Sequence, residues 1–131
     1  MPMRSRPLSP FLHYRWQYTN TLSILHRVTG VGLSVAFVFL VYLIAAVARG
    51  PQAFARAATL SAHPLVRGLL ALMAITFAYH MCNGVRHLLW DAGLGLERSQ
   101  ARRSAWIVVL ATLILGATVA TIMLLHRGGA A

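Results

Sequence analysis

The chain of 131 residues has no lysine, one cysteine and only two acidic residues, Asp91 and Glu97. Each scarcity excludes something. A single thiol, Cys82, rules out an intrachain disulfide framework or a thiolate metal cluster. Its plain reading is a small buried hydrophobe. Charged residues make up 11%, where a soluble domain carries about 25%. The 58% hydrophobic content rules out disorder. Without lysine, all 12 basic residues are arginine and the net charge is +10. Such a balance suits a nucleic-acid binder, but a mean hydropathy of +0.66 does not, so no nucleic-acid partner is expected. There is no internal repeat, no low-complexity tract, no flavin fingerprint and no small-residue cleavage site after the first apolar run.

What is present is three long uncharged runs: Val28 to Ala48, Gly68 to Val85 and Ser104 to His126. A helix needs about 20 apolar residues to cross a bilayer core of about 30 Å. In lipid an open chain must satisfy its backbone groups within the segment, which selects helix. The sequence predicts an all-α membrane protein with three transmembrane helices near 24–48, 65–91 and 104–126. Residues 1–131 form one domain: an arm (1–22), the three-helix region (23–126) and a short tail (127–131). Gly50-Pro51 should end the first span. His63-Pro64 should start the second, with Pro64 near the first helical position. The connections are read as short loops.

The arginines give an orientation. Arg4, Arg6, Arg15, Arg27, Arg86, Arg98, Arg102 and Arg103 fall on one side, and Arg49, Arg56, Arg67 and Arg127 on the other. The positive-inside rule then places the N-terminus in the cytoplasm and the C-terminus outside. Tyr14, Trp16, Trp90 and Trp106 suit an interfacial aromatic belt. Thr112, Gly116, Thr118 and Thr121 read as helix-packing residues without chemistry.

Polar groups inside lipid are costly and mark function by default. Two clusters qualify. Ser23, His26 and Arg27 share a helix face at the edge of the first span, since i, i+3 and i+4 positions are neighbours. A hydroxyl and a guanidinium are donors suited to a carbonyl or carboxylate. Thr29 follows, and Gly30 and Gly32 permit close approach of a helix or flat ligand. In the second cluster, Thr76, His80, Gly84, His87 and Asp91 lie within about 80° of arc on one helix. His80 is deep in the span, and neutral imidazole is a good haem-iron ligand. Gly84 would give a porphyrin face room, with Arg86 and His87 toward its propionates. The other reading is a histidine buried against a neighbouring helix. No second histidine lies mid-span, so a second axial ligand would come from a partner chain.

These residues resemble a family, the large membrane-anchor (cytochrome b) subunit of succinate dehydrogenase. The matching segments are R-P-L-S-P at Arg6 to Pro10, S-I-L-H-R-V-T-G at Ser23 to Gly30, and H-x-x-N-G-V-R-H-L-L-W-D-x-G at His80 to Gly93. The arm departs from the pattern often seen in relatives, lacking a histidine after Pro10. The resemblance implies ubiquinone binding by Ser23 and Arg27, and axial haem ligation by His80. His26, Arg27, Gly84, Arg86 and His87 would line the haem pocket and its propionates. It also implies one haem b shared with a second hydrophobic anchor subunit, so that this chain is half of a heterodimeric bundle. An iron–sulfur subunit and a flavoprotein subunit would complete the complex in a bacterial inner membrane. Electrons would run from succinate to ubiquinone. A fumarate reductase anchor, working in the opposite direction, and a purely structural assembly subunit are the alternatives.

Overall fold

The computed structural model describes residues 17–125. The arm motif at Arg6 to Pro10, the belt residues Tyr14 and Trp16, and the tail from His126 lie outside them. Four helices follow in order: α1 (Tyr18–Ala48), α2 (Pro51–Ala62), α3 (Pro64–Asp91) and α4 (Arg98–Leu125). No strand occurs among the described residues.

Three of the helices, α1, α3 and α4, are long and apolar enough to cross a membrane. They present large apolar side chains outward: Val31, Val35 and Val38 on α1, Leu65, Leu72 and Leu88 on α3, and Ile107 and Leu113 on α4 are all well exposed. That is the inverse of a soluble bundle and suits lipid as the surrounding solvent. The polar outer residues are largely self-satisfied. Ser34, Thr118 and Thr121 hydrogen-bond to carbonyls four residues earlier in their own helices. Thr118 and Thr121 are exposed on the outer face of this chain.

The spans extend beyond the uncharged runs. α1 begins at Tyr18, inside the expected arm, and α4 begins at Arg98 rather than near 104. A helix continues through polar residues wherever nothing breaks it, and charge marks the edge of lipid rather than the edge of helix.

The larger difference is α2. Residues 51–62, expected to lie in a short connection, form twelve residues of helix. The segment is rich in alanine, the best helix former. Pro51 sits at its first turn, where a missing N–H costs nothing. Gly50 precedes it at φ 96°, ψ −177°, a region essentially reserved for glycine. α2 packs on both α1 and α3, and Ala57 is 2% exposed. α3 then starts as expected at Pro64, and the Nδ1 of His63 accepts a hydrogen bond from the Leu65 backbone N–H at 3.3 Å.

The core is narrow and made mostly of small residues: among the described residues Leu22, Ala36, Ala46, Ala57, Ala78, Ala105 and Val108 are its buried apolar side chains. Small residues let helix backbones approach closely in lipid, where packing replaces the hydrophobic drive. Gly116 on α4 is buried, as its packing role requires, and Ile75 of α3 lies over it, 3.4 Å from where a Cβ would stand.

Candidate functional site

At the end of the bundle that holds the start of α1 and the end of α3, three histidines converge. The rings of His26 and His80 stack with centroids 4.0 Å apart and planes 15° from parallel. His87 lies 5.2 Å from His26 on its other approach. Two glycines make the cluster possible. A Cβ on Gly30 would stand 3.1 Å from the Cε1 of His80, and one on Gly84 would stand 3.6 Å from the Cε1 of His26. The space above Gly84 is therefore filled by His26. Gly32, in contrast, faces open space.

Polar bonds hold α3 against α1 around this cluster. Tyr79 donates its hydroxyl to the Leu22 carbonyl at 2.6 Å, and the amide of Asn83 donates to the same carbonyl at 3.4 Å. The Thr29 hydroxyl lies 3.2 Å from His80 Nδ1. One atom is left over: His26 Nδ1 is buried and has no hydrogen-bond partner among the described residues. Buried polar atoms are almost always bonded, so an orphan asks for a group that belongs there.

Arg86 was expected near a propionate, and its guanidinium is committed elsewhere. It is 2% exposed. Its Nε donates to Ser104 Oγ at 3.0 Å, one terminal nitrogen donates to the Ala101 carbonyl at 3.1 Å, and the other to Asn83 Oδ1 at 3.4 Å. The bonds to Ser104 and Ala101 tie α3 to α4. Chain direction explains the difference: on α3 Arg86 is one residue before His87, about 100° around the helix, and so points to the neighbouring seam. Trp90, expected in an interfacial aromatic belt, is half-buried and packed against Arg86 and His87. Its ring lies 4.0 Å below the Arg86 guanidinium carbon and meets His87 edge-on at 5.2 Å. Its indole N–H donates to the Gly95 carbonyl at 3.1 Å. Trp106 is exposed, as a belt residue would be. Cys82 is only half-buried.

Ser23 and Arg27 lie one turn apart at the start of α1, next to His26. Ser23 is half-buried and Arg27 exposed. The serine is thus shielded while the guanidinium is free to meet a ligand at the bundle edge.

An apolar cavity of about 770 Å³ opens between α1 and α3 beside this cluster. Gly30 and His80 stand in its wall, with Phe37, Leu40, Met73 and Phe77 among the apolar lining. Cavities of this size and character, apolar with a few placed polar groups, are the usual form of cofactor sites. The donor set fits a haem: an imidazole in an apolar wall and an orphaned buried nitrogen nearby.

Thr29, Asn83, Tyr79 and Ser104 were not singled out as site residues from sequence alone. Asn83 is fully buried within a span, and a mid-span asparagine is itself a signal of a required partner.

Fold and site together define a membrane-spanning helix bundle with an imidazole-walled apolar cavity at its seam. The chain belongs to the succinate dehydrogenase/fumarate reductase transmembrane subunit family, whose model matches residues 3–119. It is 36% identical over 115 residues to the succinate dehydrogenase cytochrome b556 subunit of Rickettsia felis, covering 84% of this chain and 86% of that one. The b556 subunit of Paracoccus denitrificans is 35% identical over 117 residues, covering 85% and 86%. The succinate dehydrogenase cytochrome b560 subunit of Marchantia polymorpha is 36% identical over 117 residues, covering 85% of each.

Proposed function

We propose that this chain is the haem b- and quinone-binding anchor of a succinate dehydrogenase. It would pass electrons from succinate, through iron–sulfur clusters, to ubiquinone in a bacterial inner membrane. The observation that carries the reading is the placement of His80. It stands in the wall of the apolar cavity, over Gly30, with a defined partner at its Nδ1. The names of the relatives, all cytochrome b subunits of succinate dehydrogenase, support it.

His80 is the residue of this chain that would hold the haem iron, and a second hydrophobic anchor subunit would close the cavity and supply the other histidine. His26, Arg27 and His87 would serve the propionate side, and Gly30 and Gly84 let the His80 and His26 rings seat against the opposite helix. Arg86 acts from behind, holding α3 on α4. When bound, the haem supplies a one-electron carrier whose potential follows from its ligands and surroundings.

Ser23 and Arg27 form the quinone end. Ubiquinone takes up two electrons and two protons, and its carbonyl oxygens gain negative charge on the way. Arg27 stabilises that charge, and Ser23 donates a hydrogen bond to an oxygen. A guanidinium and a serine hydroxyl are poor proton sources near neutral pH, so water or a partner group delivers the protons. The iron–sulfur and flavoprotein subunits dock on the arginine-rich side, which is cytoplasmic, with the N-terminus there and the C-terminus in the periplasm.

The test is a reduced-minus-oxidised spectrum with pyridine haemochrome on the purified complex. His80→Ala should lose or convert the b-type spectrum, and an unchanged spectrum would sink the haem assignment. Ser23→Ala and Arg27→Ala should lower succinate–quinone reductase activity, by up to roughly a hundredfold for Arg27, the scale of one lost oxyanion donor. Succinate oxidation with a soluble dye should persist in both. Wild-type quinone reduction in both variants would refute the quinone assignment.

A further inference from the structure

We propose that Thr29 fixes the tautomer of His80 and thereby sets the electron-donating strength of that imidazole. The proposal rests on the reading of His80 as a haem ligand and goes beyond it.

A threonine hydroxyl has one hydrogen and two lone pairs. Two carbonyl oxygens lie in reach of Thr29 Oγ1, that of Leu25 at 2.7 Å and that of His26 at 2.9 Å. A carbonyl can only accept, so the single hydroxyl hydrogen is spent on them. The helix imposes this, because a threonine readily bonds back to the carbonyls three and four residues earlier. Toward His80 Nδ1, 3.2 Å away, the oxygen has only a lone pair to offer. The bond therefore runs from His80 Nδ1–H to Thr29 Oγ1. A neutral imidazole carries one ring proton, so Nε2 is left with its lone pair free, the form a metal requires.

Gly30 adds a second constraint. Its missing Cβ leaves the His80 Cε1 only 3.1 Å from where that atom would be. The ring is thus held at Nδ1 by one α1 residue and seated against the next. Consecutive residues of α1 aim a side chain of α3.

A hydrogen bond at the far nitrogen makes an imidazole a stronger donor to its metal and orients the ring. Stronger donation favours ferric over ferrous iron and lowers the potential. Removing the acceptor should therefore raise it.

The experiment uses the assembled complex, with a redox titration of its b-type haem and the electron paramagnetic resonance of the ferric form. Thr29→Val replaces the hydroxyl by a methyl of the same shape. Thr29→Ala removes it with less bulk, and Thr29→Ser keeps it. Both apolar variants should raise the haem midpoint potential and shift the ferric low-spin signal, while Thr29→Ser stays at wild type. Loss of haem in the apolar variants, with full haem in Thr29→Ser, would support the same role. A wild-type or lowered potential in Thr29→Val and Thr29→Ala would overturn the proposal and leave His80 as the ligand. Retention of the b-type spectrum in His80→Ala would instead overturn the underlying reading, and the proposal with it.

Discussion

His26 and His80, 54 positions apart in the chain, stack their imidazoles almost parallel with centroids 4.0 Å apart. That pairing sets how closely α1 and α3 approach, and Gly30 beside it has no spare room. Gly30→Ala puts a Cβ 3.1 Å from His80 Cε1, so the ring must give by a few tenths of an ångström. Haem content per complex, read by pyridine haemochrome, should fall in Gly30→Ala and be lost in Gly30→Leu. Gly32→Ala, which meets nothing within 4 Å, should leave it unchanged.

The Arg86 bonds to α4 predict a coupled loss of stability. Ser104→Ala removes the acceptor of Arg86 Nε and should cost about 1 kcal/mol, within the range for hydrogen bonds between membrane helices. Arg86→Leu should cost more, since it also strips Asn83 and the Ala101 carbonyl of a partner. The double variant should be less destabilised than the sum of the singles, because neighbours in one network do not add. Denaturation of the detergent-solubilised complex measures this, and strict additivity would contradict the bond.

Tyr79→Phe deletes the 2.6 Å bond to the Leu22 carbonyl. The expected destabilisation is about 1 kcal/mol or somewhat less. The Asn83 amide still reaches the same carbonyl, so the start of α1 should stay seated and the b-type spectrum should not change. A changed spectrum would show that Tyr79 acts on the site itself.

Gly50→Ala tests the turn between α1 and α2. Its backbone, at φ 96° and ψ −177°, suits glycine alone, and a side chain there should cost about 1–3 kcal/mol. Thermal denaturation should report that loss without any change in haem content. An unaffected midpoint would mean that the turn relaxes freely.

The three spans were legible because arginine appears only where lipid ends, so the uncharged runs outlined the helices. Their polar extensions, Tyr18 onward and Arg98 onward, were not, since charge marks the interface and not the helix end. α2 escaped notice because an alanine-rich segment of twelve residues has neither length nor an uninterrupted apolar face. In the site, His26, His80 and His87 could be picked out by type and spacing, and the structure brings them together. The part of Thr29 could not, because it depends on a contact across 51 positions. Arg86 and Trp90 were placed by their distance from the membrane edge, whereas the Asn83–Arg86–Ser104 seam decides where they point. A helical wheel gives each side chain a direction but not the neighbour it meets.

Asn83, 0% exposed, touches both seams of α3: it donates to Leu22 of α1 and accepts from Arg86, which in turn is bonded to α4. Synthesis runs in chain order, so α3 reaches the membrane when α1 is already there and α4 is still unmade. Asn83 can find its α1 carbonyl at once. Arg86 completes its bonds only when Ala101 and Ser104 are in place. The seam between α3 and α4 is therefore the last to close, and a chain ending short of residue 104 would lack partners that seat Arg86.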